Sequence, residues 1–149
     1  MGWIDALKGN VVGLDTSPLI YFTEKHTLYI GILDQLFLGL RNGELGAVTS
    51  IITLLEVLVH PIKKGDTTLA QQYRELLLNT SYLSTQLLDQ QIAEKASYLR
   101  ATYKLRTPDA IQVATAIVAR ASSFLTNDKQ LSVVSELKVL ILDDLITKH

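Results

Sequence analysis

Short apolar runs alternate with longer amphipathic stretches along this chain. Buried strands of a parallel sheet read as short, continuous apolar runs, and the helices that connect them read as longer segments with helical periodicity. The alternation therefore predicts an α/β fold with a parallel sheet. The five predicted strands are residues 11–14, 46–49, 82–84, 123–125 and 138–142, of which the third has the weakest apolar pattern.

Three of the connecting segments have apolar side chains on one helical face. These predicted helices are residues 28–40, 66–78 and 89–103. Asp66 and Asp89 stand at the start of the second and third helices, where their carboxylates can accept hydrogen bonds from free backbone N–H groups. Each Asp is therefore predicted to be a helix N-cap.

Two further segments are also predicted to be helical. Residues 50–60 contain β-branched side chains that would also suit a strand, but Ser50 as a cap and Pro61 as a stop favour a helix. The last predicted helix, which follows Pro108, has a narrow face of small and apolar residues that would allow it to lie close to the sheet. That face consists of Ala110, Val113, Ala114, Ile117 and Ala121.

Four acidic residues lie in unusual surroundings in this predicted fold. Asp15 follows the first strand and Asp128 follows the fourth, whereas Asp109 begins a helix and Glu56 interrupts an apolar helical run. Parallel strands end, and the following helices begin, at one edge of the sheet. We therefore expect these acids to share one rim and a cation, because unpaired carboxylates in apolar surroundings are costly. The alternative for each Asp is simple helix capping, and for Glu56 a solvated helix face.

The same dipeptide pattern occurs near two of these acids. In Ser17-Pro18 and Thr107-Pro108 a hydroxyl residue precedes a proline. Because proline is favoured at the first position of a helix, Ser17 and Thr107 are predicted to be N-caps.

The composition is that of a globular chain. The 149 residues are 48% apolar and 19% charged, and we expect one domain over residues 1–149. The longest apolar run, residues 51–59, is interrupted by Glu56 and is too short to cross a bilayer, so we expect no membrane association. The absence of cysteine and of a signal-peptide layout at the start is compatible with a soluble, cytoplasmic protein.

The formal net charge of −1 gives no general attraction to nucleic acid, so a polyanion would have to bind a local patch. Basic residues precede the helix that carries Asp109 and follow the helix that carries Glu56. A solvated helix face is the alternative for such charges, and Arg106 is the preferred candidate for a phosphate contact. The RNA-binding candidates are Arg106, Lys104, Arg100, Lys63 and Lys64.

Four pieces of the sequence resemble the PIN domain family, most closely the VapC toxins of toxin–antitoxin pairs. The pieces are residues 14–20, Thr49-Ser50 with Glu56, residues 107–116 and residues 125–128. The resemblance implies a three-layer α/β/α fold with a five-stranded parallel sheet in the order 3-2-1-4-5. Residues 1–10 depart from the pattern, because many compact toxins begin almost at the first strand.

The resemblance also implies a site and an activity. Its catalytic and metal-binding acids correspond to Asp15, Glu56, Asp109 and Asp128, and the supporting positions to Ser17, Thr126 and Asn127. The implied protein is an endoribonuclease that depends on Mg²⁺ or Mn²⁺, with an antitoxin as partner and a homodimeric state. These acids would hold the metal, with Asp15 and Asp109 as its main direct ligands. The alternative is a non-catalytic PIN module that binds metal and RNA or a protein partner.

Overall fold

A computed structural model describes residues 2–146 of the chain. Five strands alternate with eight α-helices and one 3₁₀ helix over this part of the chain. In chain order the elements are α1 (Trp3–Leu7), β1 (Val11–Leu14), α2 (Thr16–Thr23), α3 (Ile30–Arg41), β2 (Gly46–Ser50), α4 (Ile51–Lys64), α5 (Thr67–Leu78), β3 (Ser84–Gln86), α6 (Gln90–Tyr103), α7 (Thr107–Val118), β4 (Ser123–Thr126), a 3₁₀ helix (Lys129–Val133), β5 (Lys138–Ile141) and α8 (Leu142–Ile146).

The strands form one parallel sheet in the order β3-β2-β1-β4-β5. β1 and β4 are neighbours although far apart in sequence, and their register pairs Leu14 with Leu125. The strand order reverses between them, which creates the crevice where α/β proteins bind ligands. The predicted fold class and strand order are confirmed.

The two faces of the sheet pack in different cores, which gives the fold its three layers. Val12 and Leu14 pack in the larger cluster with Leu33 and Phe37 of α3. The other face of the sheet carries a second cluster, in which Phe124 of β4 packs with residues of α6 and α7. Both faces of the central strands are therefore buried, as expected for a parallel sheet.

α7 lies unusually close to the sheet at Gly13. A Cβ atom added to Gly13 would lie 2.5 Å from Ala116 Cβ and 2.9 Å from Phe124 Cδ1. Of the predicted small-residue face, Ala110, Val113 and Ala114 are fully buried and Ile117 is partly buried against the same core, whereas Ala121 lies beyond the end of α7. This close contact fixes the position of α7, and α7 carries Asp109 in its first turn.

The predicted helix starts were partly wrong. Asp66, Asp89 and Ser50 do accept capping hydrogen bonds from backbone N–H groups. Ser17 and Thr107, however, lie inside helices rather than at the N-cap positions, which are occupied by Asp15 and Arg106. Asp15 can cap because it already leaves the strand in an extended conformation and its carboxylate reaches Thr16 N.

Two other boundaries also differ from the prediction. Pro61 lies within α4, which continues to Lys64 and ends where Gly65 adopts the left-handed conformation. β3 covers Ser84–Gln86 rather than residues 82–84, because the strand is defined by its pairing with β2 while Leu83 is buried in the core. An edge strand of polar residues gives little apolar signal.

Helices at both ends of the described chain were not predicted. α1 contributes Leu7 to the larger core, and Trp3 and Ile4 pack against it. α8 contributes Leu142 and Leu145 to the same core. Both helices contain five residues, which is too short for a periodic pattern to emerge. Within residues 2–146 no helix has the length and apolar character needed to cross a membrane.

Candidate functional site

A pocket of about 360 Å³ lies where β1 and β4 end. All four acids singled out from the sequence line it, so connectivity does bring them to one side of the molecule. Its lining residues are Asp15, Thr16, Ser17, Ile20, Tyr21, Glu56, Arg106, Asp109, Asn127 and Asp128.

Two hydrogen bonds hold the carboxylate of Asp15 in place. Its Oδ1 accepts a hydrogen bond from Thr16 N at 2.9 Å, and its Oδ2 accepts one from Thr126 Oγ1 at 2.6 Å. Burial raises the pKa of Asp15 to about 6, the two hydrogen bonds oppose that rise, and the charges of Asp109 and Glu56 add to it. Burial is therefore a larger cause of the raised pKa of Asp15 than repulsion by the neighbouring carboxylates.

Thr126 joins two of the acids. Its buried hydroxyl donates to Asp15 and accepts a hydrogen bond from Asp128 N at 3.0 Å. The Asp128 carboxylate in turn accepts from Gln130 N at 3.0 Å and caps the 3₁₀ helix. The supporting role assigned to Thr126 therefore corresponds to a specific contact between the end of β4 and the residue that follows β1.

Glu56 and Asp109 are each bonded to another side chain of the pocket. Thr16 Oγ1 donates to Glu56 Oε1 at 2.5 Å, across forty residues of sequence. Arg106 Nε lies 3.1 Å from Asp109 Oδ2 and forms an ion pair with it. Glu56 is exposed, as the solvated-face alternative proposed, but it also lines the pocket.

A polar network beneath the pocket was not predicted. Gln112, which is only 2% exposed, donates from Nε2 to Thr16 Oγ1 at 3.2 Å and to Thr53 Oγ1 at 2.7 Å. Thr16 thus connects Gln112 to Glu56 and holds α2, α4 and α7 together. The sequence did contain a signal for the role of Gln112. This polar residue lies three positions after Asp109, on the same side of a helix whose neighbouring positions are apolar.

Asn127 and Ser17 both line the pocket. The side chain of Asn127 donates to Tyr29 Oη at 3.0 Å and accepts from Asp143 N at 3.1 Å. Tyr29 also donates to Asp143 at 2.5 Å, so Asn127 ties the segment after β4 to the starts of α3 and α8. This anchoring fixes the loop that carries Asp128.

Only one of the predicted RNA-binding residues, Arg106, lines the pocket. Lys63 and Lys64 occupy the last turn of α4. Arg100 Nε donates to Leu105 O at 3.0 Å, and Lys104 ends α6 with a left-handed φ of 59°. Contacts of these five residues with RNA stay a prediction.

The carboxylate oxygens that line the pocket are suitable ligands for a divalent cation. The side chains, however, do not form a preformed metal-coordination site. Over residues 2–146 no three His, Asp or Glu side chains form a group that could hold an ion as they stand. The acids are instead engaged by protein donors, namely Thr16, Thr126 and Arg106. Several carboxylates in one pocket remain the ligand set that hard cations such as Mg²⁺ and Mn²⁺ prefer.

The fold and the pocket together define an α/β protein with an acidic site at the switch point of a parallel sheet. The family model described as "PIN domain" matches residues 12–137, which is most of the chain. The chain belongs to the PIN domain family, as the sequence motifs predicted.

Solved structures with the same fold include three from bacterial toxin–antitoxin systems. A toxin–antitoxin complex from Klebsiella pneumoniae has 28% identity and a TM-score of 0.66, over 89% of this chain and 97% of that one. VapBC2 from Rickettsia felis, bound to a DNA fragment from its promoter, has 20% identity and a TM-score of 0.70, over 88% and 98% of the two chains. VapBC-1 from nontypeable Haemophilus influenzae has 19% identity and a TM-score of 0.59, over 89% and 98%. A comparison with curated proteins gives no match.

Proposed function

We propose that this protein is a divalent-metal-dependent endoribonuclease and the toxin of a toxin–antitoxin pair. The observation that carries the nuclease proposal is the pocket lined by Asp15, Glu56, Asp109 and Asp128 at the switch point of the sheet. Membership of the PIN domain family supports the same activity. The similarity to the Klebsiella pneumoniae toxin–antitoxin complex supports the toxin role.

In this proposal Asp15 and Asp109 are the main ligands of Mg²⁺ or Mn²⁺, and Glu56 and Asp128 bind it directly or through water. A bound ion would supply polarisation of a phosphoryl oxygen of RNA and a lower pKa for a nearby water molecule. The carboxylates must be ionised to bind it, and Asp15, with a pKa of about 6, is mostly ionised above neutral pH.

The neighbouring residues orient these carboxylates. Thr126 Oγ1 holds Asp15 Oδ2, and Thr16 Oγ1 holds Glu56 Oε1. Gln112 Nε2 in turn holds Thr16 from the buried side. Because hydrogen bonds fix the rotamers of the acids, less ordering is needed when the ion and the substrate bind.

A protein partner is supported by an exposed apolar stripe on α4. Leu55, Val59 and Ile62 are each more than half exposed, at 62%, 51% and 61%, and their spacing puts them on one side of the helix. Glu56, which lines the acidic pocket, lies on the same helix. We assign this stripe to the proposed antitoxin, because a helix in a partner protein can cover such a stripe. A homodimer is the other assembly proposed for this chain, and light scattering on the purified protein tests it.

Cleavage of a single-stranded RNA in the presence of Mn²⁺, measured on a denaturing gel, tests the nuclease proposal. We expect internal cleavage by the native protein, no cleavage in EDTA, and a loss of at least about 100-fold for Asp15→Asn, as is usual when an electrostatic catalytic group is removed. Asp34→Asn is the matched control, because Asp34 lies on α3 and does not line the pocket. Equal cleavage by the Asp15→Asn and native proteins would refute the assignment. RNA binding without cleavage would instead favour the non-catalytic alternative.

A further inference from the structure

Arg106 contributes the basic side chain that lines the acidic pocket. Its Nε is 3.1 Å from Asp109 Oδ2, and the side chains of Arg106 and Asp109 are 79% and 17% exposed. The hydrogen bond from Arg106 to Asp109 raises the pKa of the guanidinium group, and the negative charges of Asp128 and Glu56 raise it further. A cation that belongs to the chain itself therefore lies among the acids.

The backbone at Arg106 does not require this side chain. Arg106 occupies the N-cap position of α7 with an extended backbone, φ −69° and ψ 155°, and its side chain makes no capping hydrogen bond. Since the side chain is mostly exposed, it can leave Asp109 by rotating into solvent without moving α7. The ion pair is consequently a reversible contact rather than a part of the helix start.

We propose that Arg106 is a removable counter-ion of the acidic pocket, which leaves Asp109 when a divalent cation binds and then holds a phosphate of the RNA. This inference rests on the proposed function of the same site. The guanidinium group and a divalent cation compete for the same carboxylate, because both need its oxygens. The released guanidinium stays at the edge of the pocket, where it can bind a phosphate with two parallel hydrogen bonds.

This exchange links the affinity of the protein for the divalent cation to its affinity for RNA. Arg106 opposes binding of the ion to the protein alone, and it favours binding of RNA once the ion is present. By linkage, the contribution of Arg106 to RNA affinity should therefore depend on the metal. A side chain that only stabilised the helix start, or that only attracted RNA by its charge, would not give this dependence.

The first test is calorimetric titration of the full chain with Mn²⁺ in the absence of RNA. Arg106→Gln should bind Mn²⁺ about two- to five-fold more tightly than the native protein, as expected for loss of a partly exposed competing ion pair. Arg106→Lys, which keeps the positive charge, should return the affinity towards the native value. Arg41→Gln is the matched control, because Arg41 ends α3, away from the pocket lining, and its loss changes the net charge equally.

The second test is fluorescence anisotropy with a labelled oligoribonucleotide, using Glu56→Gln in every protein to prevent cleavage, once calorimetry has shown that Glu56→Gln still binds Mn²⁺. Arg106→Gln should weaken RNA binding about five-fold in Mn²⁺, and by less than about two-fold in EDTA. An equal loss of RNA affinity in Mn²⁺ and in EDTA would overturn the proposed exchange.

The outcomes separate this inference from the function on which it rests. If Asp109→Asn abolishes Mn²⁺ binding but Arg106→Gln binds Mn²⁺ no more tightly than the native protein, the counter-ion role of Arg106 is wrong and the metal site stands. If neither the native protein nor Arg106→Gln binds Mn²⁺, both the site and the counter-ion role are overturned.

Discussion

Asp15 combines two requirements that conflict. As the N-cap of α2 and a hydrogen-bond partner of Thr126, it is fixed in place, yet its burial disfavours the charge that the proposed role as a metal ligand requires. The conflict has a thermodynamic consequence, because the pKa of Asp15 is about 6 in the folded protein against an ordinary value of 3.8. Between these two pH values the folded state binds more protons than the unfolded state, so the free energy of unfolding falls as the pH rises.

Asp15→Asn should therefore stabilise the metal-free protein, by about 1–3 kcal/mol above pH 6. The amide keeps an oxygen for Thr16 N and removes the buried charge. The difference between variant and native protein should shrink through the window from pH 6 to 3.8 and vanish below it. Urea denaturation at several pH values in EDTA measures this difference. A variant that is less stable than the native protein at pH 8 would show that the capping charge matters more than its burial.

Thr126→Val tests the hydroxyl that joins Asp15 to Asp128. The substitution preserves the shape of a fully buried side chain but leaves the Asp15 oxygen and Asp128 N without this partner. We expect a loss of about 1–3 kcal/mol in the free energy of unfolding, together with reduced RNA cleavage.

Thr115→Val is the control for the hydroxyl substitution. Thr115 is equally buried, but its hydroxyl donates to Ile111 O within α7, away from the pocket. We expect it to cost about 1 kcal/mol or less and to leave cleavage unchanged. Equal effects of the two substitutions on cleavage would contradict a specific role of Thr126.

At the scale of elements, the position of α7 depends on the absence of a side chain at Gly13. Gly13→Ala should destabilise the protein by about 1–3 kcal/mol, because the new methyl group overlaps Ala116 and Phe124. α7 must then move, and Asp109 moves with it. Gly46→Ala, in the neighbouring strand, is the control, since its Cβ would meet only Val11 Cγ2 at 3.4 Å. Urea denaturation compares them, and equal stability of the two variants would refute the close contact.

The elements that could be predicted are those with a local cause. Asp66 and Asp89 cap their helices through contacts with N–H groups three residues away, so the sequence contains both partners. The predicted bounds of β3 were wrong because the limits of this strand are set by its pairing with β2, and no local sequence pattern contains that contact. Pro61 was misread as a stop, although α4 continues past it for three more residues.

At the scale of the molecule, the shared pocket could be predicted because strand order and connectivity alone determine which edge each acid reaches. The contacts that orient the acids could not be predicted. Gln112 meets Thr16 across 96 residues, and Thr126 meets Asp15 across 111. Such contacts depend on the separation of helices and strands, which is set by packing at places such as Gly13.

The direct test of a metal-dependent site is anomalous diffraction from a crystal of the native protein grown with Mn²⁺. We expect a peak in the pocket within bonding distance of Asp15 and Asp109, at about 2.0–2.6 Å for oxygen ligands of hard cations, with Arg106 turned away from Asp109. A protein saturated with Mn²⁺ that shows no peak there, or a peak only on another face, would contradict the proposal.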